Sequence, residues 1–353
     1  MKTNNLKRMA LLKHKYSSFL EDTIASEANY HGIYNKSVLE RHIWIYEIHS
    51  QLQSRLKENC ILKGGACAQV YIPLEKQRCT EDLDLYTSLT PNKLRTELSS
   101  LGKEFNQGKL KTSIREYIPR GVRAGKNKMP ITTFIVSLPF IFNENKKNKR
   151  ATLKIDFLHV NIKKIETIRV KNAYVLGLKL NYEPNCITPH ALMAGKLMVF
   201  AVNTVGIEKY KKDKLYKNIY DLFYLVNKYN SLEDMELISR CFINNIGLEF
   251  YLKGINPIEI KYILQDILHE LEFLYTESLN KAYIETNEKV QNFIENYLQY
   301  NIEIKLNLKT FGSMVNYLLH WTYAFESIVL YRDFDKFLSI ESALSELKYT
   351  MDE

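Results

Sequence analysis

Two carboxylates that alternate with apolar residues form the most chemically distinctive stretch of this sequence. Asp82 and Asp84 lie in Asp-Leu-Asp-Leu-Tyr, a pattern typical of a β-strand, in which residues two apart point to the same face. The two carboxylates would therefore project together, and adjacent like charges raise a carboxyl pKa unless a cation lies between them. We expect that cation to be Mg²⁺, with Mn²⁺ as the alternative, because Mg²⁺ takes hard oxygen ligands and usually keeps phosphate oxygens in its shell. The pattern predicts metal-assisted chemistry on a phosphate ester.

A third aspartate and a pair of glycines extend this prediction. Asp156 lies in Thr-Leu-Lys-Ile-Asp-Phe, a second strand-like segment. Three acids on adjacent strands can hold two metal ions, which clamp the attacking and leaving oxygens of a nucleotidyl transfer. Gly64 and Gly65 precede the acidic strand, and small residues let backbone N–H groups approach an anionic triphosphate. Either motif alone is common in turns and loops, but the combination predicts a nucleotidyltransferase site.

The motifs and their order resemble the AbiEii/AbiGii/MenT family of nucleotidyltransferase toxins, a branch of the DNA polymerase β-like superfamily. Four blocks carry the resemblance: Lys-Gly-Gly-Ala at 63–66, Arg-Cys-Thr-Glu-Asp-Leu-Asp-Leu at 78–85, Thr-Pro-His-Ala-Leu-Met-Ala-Gly-Lys-Leu at 188–197, and Lys-Asn-Ile-Tyr-Asp-Leu at 217–222. They span about residues 60–225 and occur in the order that the family shows.

The resemblance implies which residues bind the nucleotide, the metal and the reacting groups. The residues expected to contact the nucleotide are Gly64, Gly65, Thr80 and Lys196. The residues expected to ligate the metal are Asp82, Asp84 and Asp156, of which Asp156 matches the third acid of the wider superfamily. The residues expected to be catalytic are Asp82, Asp84, Lys196 and Asp221.

Lys196 and Asp221 come from the two later blocks. By resemblance, the compact ammonium of Lys196 would neutralise triphosphate charge, and Asp221 would hold either Lys196 or the nucleotide. The sequence departs from the family pattern at two positions. Ala66 replaces a threonine, and Asn218 stands where the family often has the first aspartate of a pair. Either Asn218 or Asp221 is therefore the working residue, and we favour Asp221.

The same resemblance implies a function and its partners. The protein would transfer a nucleoside monophosphate from an NTP to the 3′ end of tRNA and release pyrophosphate, which would block translation. A cognate antitoxin would neutralise it. Two alternatives stay open: the acceptor is a hydroxyl of a protein, or the fold serves as a non-catalytic module that binds RNA or a protein partner.

Charge is distributed unevenly along the chain. Residues 1–230 hold 39 Lys and Arg against 20 Asp and Glu, whereas residues 231–353 hold 10 against 20. A strongly basic half favours a polyanionic partner. The best local candidate for an RNA-binding patch is a basic stretch beside Tyr117. It comprises Lys109, Lys111, Arg115, Arg120, Arg123, Lys126 and Lys128.

Hydrophobic periodicity predicts the elements that position these residues. The first 58 residues have helical spacing, residues 61–180 alternate short strands with helices, and Thr90-Pro91 predicts a helix start. From Thr188-Pro189 onward the pattern is helical. We therefore predict an α+β fold with three parts: N-terminal helices over 1–60, a polymerase β-like nucleotidyltransferase domain with a small mixed sheet over 61–230, and an acidic, all-helical C-terminal domain over 231–353.

Two observations favour a cytoplasmic protein. No apolar run approaches the 18 residues of a membrane-spanning helix, so no membrane association is expected. The basic N-terminal segment also lacks the apolar core of a secretory signal. The five cysteines have no CxxC spacing, which favours reduced thiols over disulfides or a zinc cluster.

Overall fold

The computed structural model of the chain describes residues 11–108, 110–118, 129–142, 150–208, 215–279, 288–298, 308–335 and 338. The chain divides into two compact units. The first comprises Met1–Thr188 and Asn296–Asn301, and the second comprises Pro189–Glu295 and Ile302–Glu353. The domain boundaries predicted from the sequence, after residues 60 and 230, stay predictions.

The first unit is built on a mixed sheet of seven strands in the order β3-β4-β5-β2-β1-β9-β6. The strands are β1 (Ile61–Lys63), β2 (Asp82–Thr87), β3 (Ser113–Tyr117), β4 (Ile131–Pro139), β5 (Arg150–His159), β6 (Thr167–Arg169) and β9 (Asn185–Ile187). The pairs β2–β5 and β1–β9 are parallel, and the other neighbours are antiparallel. A separate hairpin joins β7 (Tyr174–Val175) to β8 (Leu178–Lys179). The predicted α+β class with a small mixed sheet is confirmed.

Four α-helices accompany this sheet within the described part of the first unit: α1 (Glu21–His31), α2 (Lys36–Leu56), α3 (Gly64–Tyr71) and α4 (Pro91–Gln107). Helix α4 begins where the sequence predicts, because the Thr90 hydroxyl accepts the N–H of Lys93 and Pro91 occupies the first turn. Helix α2 is buried along most of its length, including several polar side chains.

Every regular element that the structure describes in the second unit is a helix. These helices are α5 (Pro189–Met198), α6 (Leu215–Lys228), α7 (Leu232–Lys253), α8 (Ile260–Leu279), α9 (Glu288–Tyr297) and α10 (Leu308–Tyr331). The last two residues of α9 belong to the first unit. The predicted helical C-terminal part is thus confirmed within the described residues. Among the described helices, none is both long and apolar enough to cross a membrane.

A buried glutamate of α2 makes the stability of the first unit depend on pH. Glu40 is 1% exposed, and its carboxylate accepts the backbone N–H groups of Ile141 and Phe142 at 2.8 and 2.9 Å. Burial raises the pKa of Glu40 from 4.5 to about 7, although these two hydrogen bonds oppose the rise. Between those pH values the folded state binds more protons than the unfolded state. The free energy of unfolding should therefore fall as pH rises through this window.

We expect Glu40→Gln to flatten the dependence of the melting temperature on pH between about 4.5 and 7. The free energy of unfolding of the wild-type protein should fall by on the order of 3 kcal/mol over this window, because a tenfold change in proton affinity corresponds to about 1.4 kcal/mol. Thermal unfolding at several pH values measures the effect. The exposed Glu75 provides a control through Glu75→Gln, which should leave the wild-type slope unchanged. Parallel curves for Glu40→Gln and the wild type would contradict the assignment.

Candidate functional site

Strand β2 places the two predicted carboxylates on one face of the sheet. Leu83 and Leu85 are fully buried, and the residues that alternate with them, Asp82 and Asp84, lie on the opposite face. Asp82 is exposed at the start of the strand, whereas Asp84 is half-buried. The period-two alternation of the strand thus produces the acidic pair that the sequence predicts.

Lysines and carboxylates of neighbouring strands share this face. Asp84 has Lys63 of β1 and Asp156 of β5 as its Cα partners in the neighbouring strands. The third predicted acid is already engaged: Thr133 Oγ1 donates to Asp156 Oδ1 at 2.6 Å, and Lys154 forms an ion pair with Asp156 Oδ2. A metal ion at Asp156 would therefore have to compete with Lys154.

The electrostatic cost of this arrangement falls on Asp84. Burial is the largest cause that raises the pKa of Asp84 above its ordinary value. The charge of Lys63 opposes the rise, the charges of Asp156 and Asp82 add to it, and Lys154 again opposes it. The raised pKa means that the surroundings of Asp84 disfavour its ionised form. A bound cation would relieve this cost.

The glycine pair begins a helix. Helix α3 starts at Gly64, whose φ of +69° lies in the left-handed region. A Cβ at Gly64 would overlap the Asp84 carboxylate, and a Cβ at Gly65 would lie 3.0 Å from Thr80 Oγ1. The structure therefore brings four predicted residues together: Gly64, Gly65, Thr80 and Asp84. The unpaired N–H groups of a helix N-terminus favour an anion at this point.

Residues that the sequence did not single out hold the segment before β2. The backbone N–H of Thr80 donates to Nδ1 of His42 at 3.2 Å. Burial, with the charges of Arg78 and His31, lowers the pKa of His42 to about 3, so this ring is neutral and accepts. The backbone N–H of Cys79 donates to the carbonyl of Tyr297 at 2.8 Å.

Glu81 is held from two directions. Arg41 of α2 forms an ion pair with its carboxylate, and the Tyr297 hydroxyl donates to the same carboxylate. Tyr297 lies 216 residues from Glu81 in the sequence, which is why no local pattern could have indicated it. These contacts fix the backbone that leads into Asp82.

The donor set fits a metal ion only in part. Across the described residues, no group of three or more His, Cys, Asp or Glu side chains could hold a metal ion by itself. Mg²⁺, however, is usually bound through one or two carboxylates, with phosphate oxygens and water completing its shell. Asp82 and Asp84, on one face and next to a helix N-terminus, fit a metal ion that arrives with a nucleotide.

Lys196 and Asp221 are paired within the second unit. The Lys196 ammonium donates to Asp221 Oδ2 at 2.7 Å and to Asn218 Oδ1 at 3.3 Å. Lys196 is 6% exposed and Asp221 fully buried. A buried ion pair requires desolvation of both charges. Both α6 residues hold the lysine, and Asp221 does so through the shorter, charge-assisted bond. The choice of Asp221 as the working residue stays a prediction.

Only part of the predicted basic patch is described. Lys111, Arg115 and Tyr117 are exposed, and Arg115 and Tyr117 lie on β3. The other predicted members, Lys109, Arg120, Arg123, Lys126 and Lys128, lie outside the described residues.

The family model described as nucleotidyl transferase AbiEii toxin, type IV TA system, matches residues 50–280. No curated protein sequence gives a significant match. Among solved structures, a candidate nucleotidyltransferase from H. pylori is similar with a TM-score of 0.45 and 12% identity, over 83% of this chain and 96% of that one.

A second solved structure, an antigenic nucleotidyltransferase-like protein from Paracoccidioides brasiliensis, is similar with a TM-score of 0.33 and 14% identity, over 62% of this chain and 94% of that one. The family match is the stronger finding. It covers more than half of the 353 residues and includes the glycine pair, the acidic strand, Lys196 and Asp221. The chain therefore belongs to the AbiEii nucleotidyltransferase toxin family of type IV toxin–antitoxin systems.

Proposed function

We propose that this nucleotidyltransferase uses Mg²⁺ to transfer a nucleoside monophosphate from an NTP to the 3′ hydroxyl of tRNA, releasing pyrophosphate and so blocking translation. The observation that carries the proposal is the contact between the start of α3 and β2. It places the backbone of Gly64 against the carboxylate of Asp84, with Asp82 on the same face. An anion-binding helix N-terminus thus adjoins an acidic pair, which is the combination that a metal-bound triphosphate requires.

In this proposal each residue of the site has a defined role. Asp82 and Asp84 hold the metal ion, and Gly64 and Gly65 offer the backbone N–H groups of the start of α3 to phosphate oxygens. When bound, Mg²⁺ neutralises charge that develops on the phosphoryl oxygens. Phosphoryl transfer depends mainly on positioning and electrostatic stabilisation. The contacts of Glu81 with Arg41 and Tyr297 therefore matter because they position the acidic strand.

Lys196 and Asp221 keep the roles that the resemblance implies. Asp221 holds the ammonium of Lys196 in a single direction through a 2.7 Å hydrogen bond, and Asn218 supports it from the same helix. The Lys196 ammonium carries three hydrogen-bond donors, so in this proposal it binds an anionic phosphate in addition to its contacts with Asp221 and Asn218. Family membership implies an NTP substrate and an antitoxin partner, and we propose that both apply here.

The tRNA acceptor is supported by charge. Residues 1–230 carry 39 basic against 20 acidic residues, and Arg115 and Lys111 are exposed in the first unit. RNA phosphates are bound by such surfaces through release of counterions. The charge balance supports a polyanionic acceptor.

Incubation of the purified full-length protein with each α-³²P-labelled NTP, Mg²⁺ and total tRNA tests the proposal. We expect label on tRNA with at least one NTP, and none after periodate oxidation of the tRNA, which destroys the 3′ hydroxyl. Extended tRNA should also inhibit a cell-free translation reaction. Label on the protein in place of tRNA would indicate a protein hydroxyl as acceptor. The absence of label with every NTP would instead favour a non-catalytic binding module.

A further inference from the structure

A polar pocket of about 460 Å³ lies in the first unit. Its volume is within the range of small-molecule sites. Three basic side chains, Lys13, Lys57 and Arg169, contribute to its lining, together with neutral donors such as Ser54 and Asn181. Among the described residues, no aliphatic side chain belongs to this lining, so the pocket is suited to a charged, hydrogen-bonding ligand.

The charges of the pocket favour an anion. Glu58 is the one carboxylate among the lining residues that the structure describes, and it is paired with Arg169 at 2.6 Å. Within the described residues, the ammonium groups of Lys13 and Lys57 are free of ion-pair partners, and both side chains are exposed. These two cations of the lining therefore remain uncompensated within the described part of the chain. Like charges held together in this way repel, and an anionic ligand would offset that repulsion.

The pocket is separate from the acidic pair of β2, Asp82 and Asp84. Lys57 and Glu58 lie in the short turn that precedes β1, whereas Gly64 follows the end of that strand. Arg169 pairs with Asn185 at the start of β9, and β9 runs parallel to β1. The lining residues thus gather at the edge of the sheet where these strands begin, and the glycine pair lies at the edge where they end.

The backbone of Lys57 adds an independent observation. Lys57 directly follows the last residue of α2 and has φ +52° and ψ −122°. Glycine adopts this conformation freely, whereas a residue with a side chain disfavours it. Residues held in disfavoured backbone regions cluster at functional sites. A lysine at this position places a cation at the pocket in spite of its conformational preference.

We propose that this pocket binds a nucleotide phosphate, either one unit of an RNA strand or a free nucleotide. The two lysines attract the phosphate as point charges, and the hydroxyl and amide groups provide neutral hydrogen bonds for a ribose or base. This site would act apart from the acidic pair, and it stands whether or not the protein transfers nucleotides to tRNA.

Binding of a fluorescent single-stranded RNA to the full-length protein, measured by anisotropy at several salt concentrations, tests the site. The double variant Lys13→Gln/Lys57→Gln should weaken binding by about tenfold, and the slope of log K against log salt should become shallower by about 1.4, or about 0.7 for each lost phosphate contact. The control Lys103→Gln/Lys163→Gln removes the same charge from exposed positions elsewhere in the unit. It should change both quantities much less.

Two further variants separate binding from folding. Glu58→Gln removes the carboxylate from the lining and should tighten binding. Lys57→Gly suits the backbone at this position, so it should weaken binding without lowering the melting temperature. Repeating the titrations with a nucleoside monophosphate, followed by NMR, distinguishes the sources. If the double variant loses affinity for RNA, the ligand is an RNA strand. If it loses affinity for the monophosphate alone, the ligand is a free nucleotide. Unchanged affinity for both ligands, or equal losses in the control, would overturn the proposal.

Discussion

Asp84→Asn is expected to lower nucleotidyl transfer by about a thousandfold or more while leaving the melting temperature unchanged or raised. A metal ion that loses one of two carboxylate ligands loses several kcal/mol of charge stabilisation, and each 1.4 kcal/mol is tenfold in rate. The effect on stability has the opposite sign. The raised pKa of Asp84 means that folding disfavours its charge, and a neutral side chain of the same shape removes that penalty.

Label transfer and thermal unfolding of the same protein samples measure both effects. The melting temperature should rise on addition of Mg²⁺ with a non-hydrolysable NTP analogue in the wild type, and the rise should be smaller in the variant. Asp22, exposed in the first turn of α1, provides the matched control through Asp22→Asn, which should retain full activity. Transfer at the wild-type rate by Asp84→Asn would show that another acid holds the metal.

Gly64→Ala is expected to abolish transfer and to destabilise the protein. The left-handed backbone at Gly64 costs an alanine about 1–2 kcal/mol. In addition, the new Cβ would overlap Asp84 Oδ2 and lie 3.0 Å from the Asp84 Cβ. The helix start or the acidic strand must then move. Because reactions of this kind depend on positioning, a shift of about 1 Å can cost 10²-fold in rate.

Gly254→Ala separates the two causes. Gly254 directly follows the last residue of α7 and has φ +61°, and no described atom lies within 4 Å of a Cβ built there. An alanine at position 254 therefore has the same backbone cost as one at position 64, but its Cβ collides with no described atom. Both variants should lose similar backbone stability, measured by chemical denaturation, but only Gly64→Ala should also lose activity. Equal activity of the two variants would mean that the contact between α3 and Asp84 has no catalytic importance.

The acidic pair and the fold class were accessible from the sequence because they depend on local periodicity. Alternation of aspartate and leucine at 82–85 determines that Asp82 and Asp84 share a face. The change from strand-like to helical spacing near Thr188 likewise indicated a mixed sheet followed by helices. Both inferences need only the period of two in a strand and of 3.6 in a helix.

Long-range contacts were not accessible in this way. Tyr297 reaches Glu81 across 216 residues, and the polar pocket combines Lys13, Lys57 and Arg169 from three segments. Similarly, only the pairing of β4 with β5 revealed that Thr133 donates to Asp156. Local pattern contains no information about which distant side chain fills a hydrogen-bonding position, since packing of the whole chain makes that choice.

The sequence by itself thus determined the kind of site: an acidic strand after a glycine pair, a lysine and an aspartate on two later helices, and the family to which these belong. The tertiary structure alone decided how each residue is used. It made the glycine pair a helix start against Asp84, and it paired Lys196 with both Asn218 and Asp221. The physical reason is that side-chain type and spacing set the available chemistry, whereas burial and partners set which charges are paired and which remain to bind a ligand.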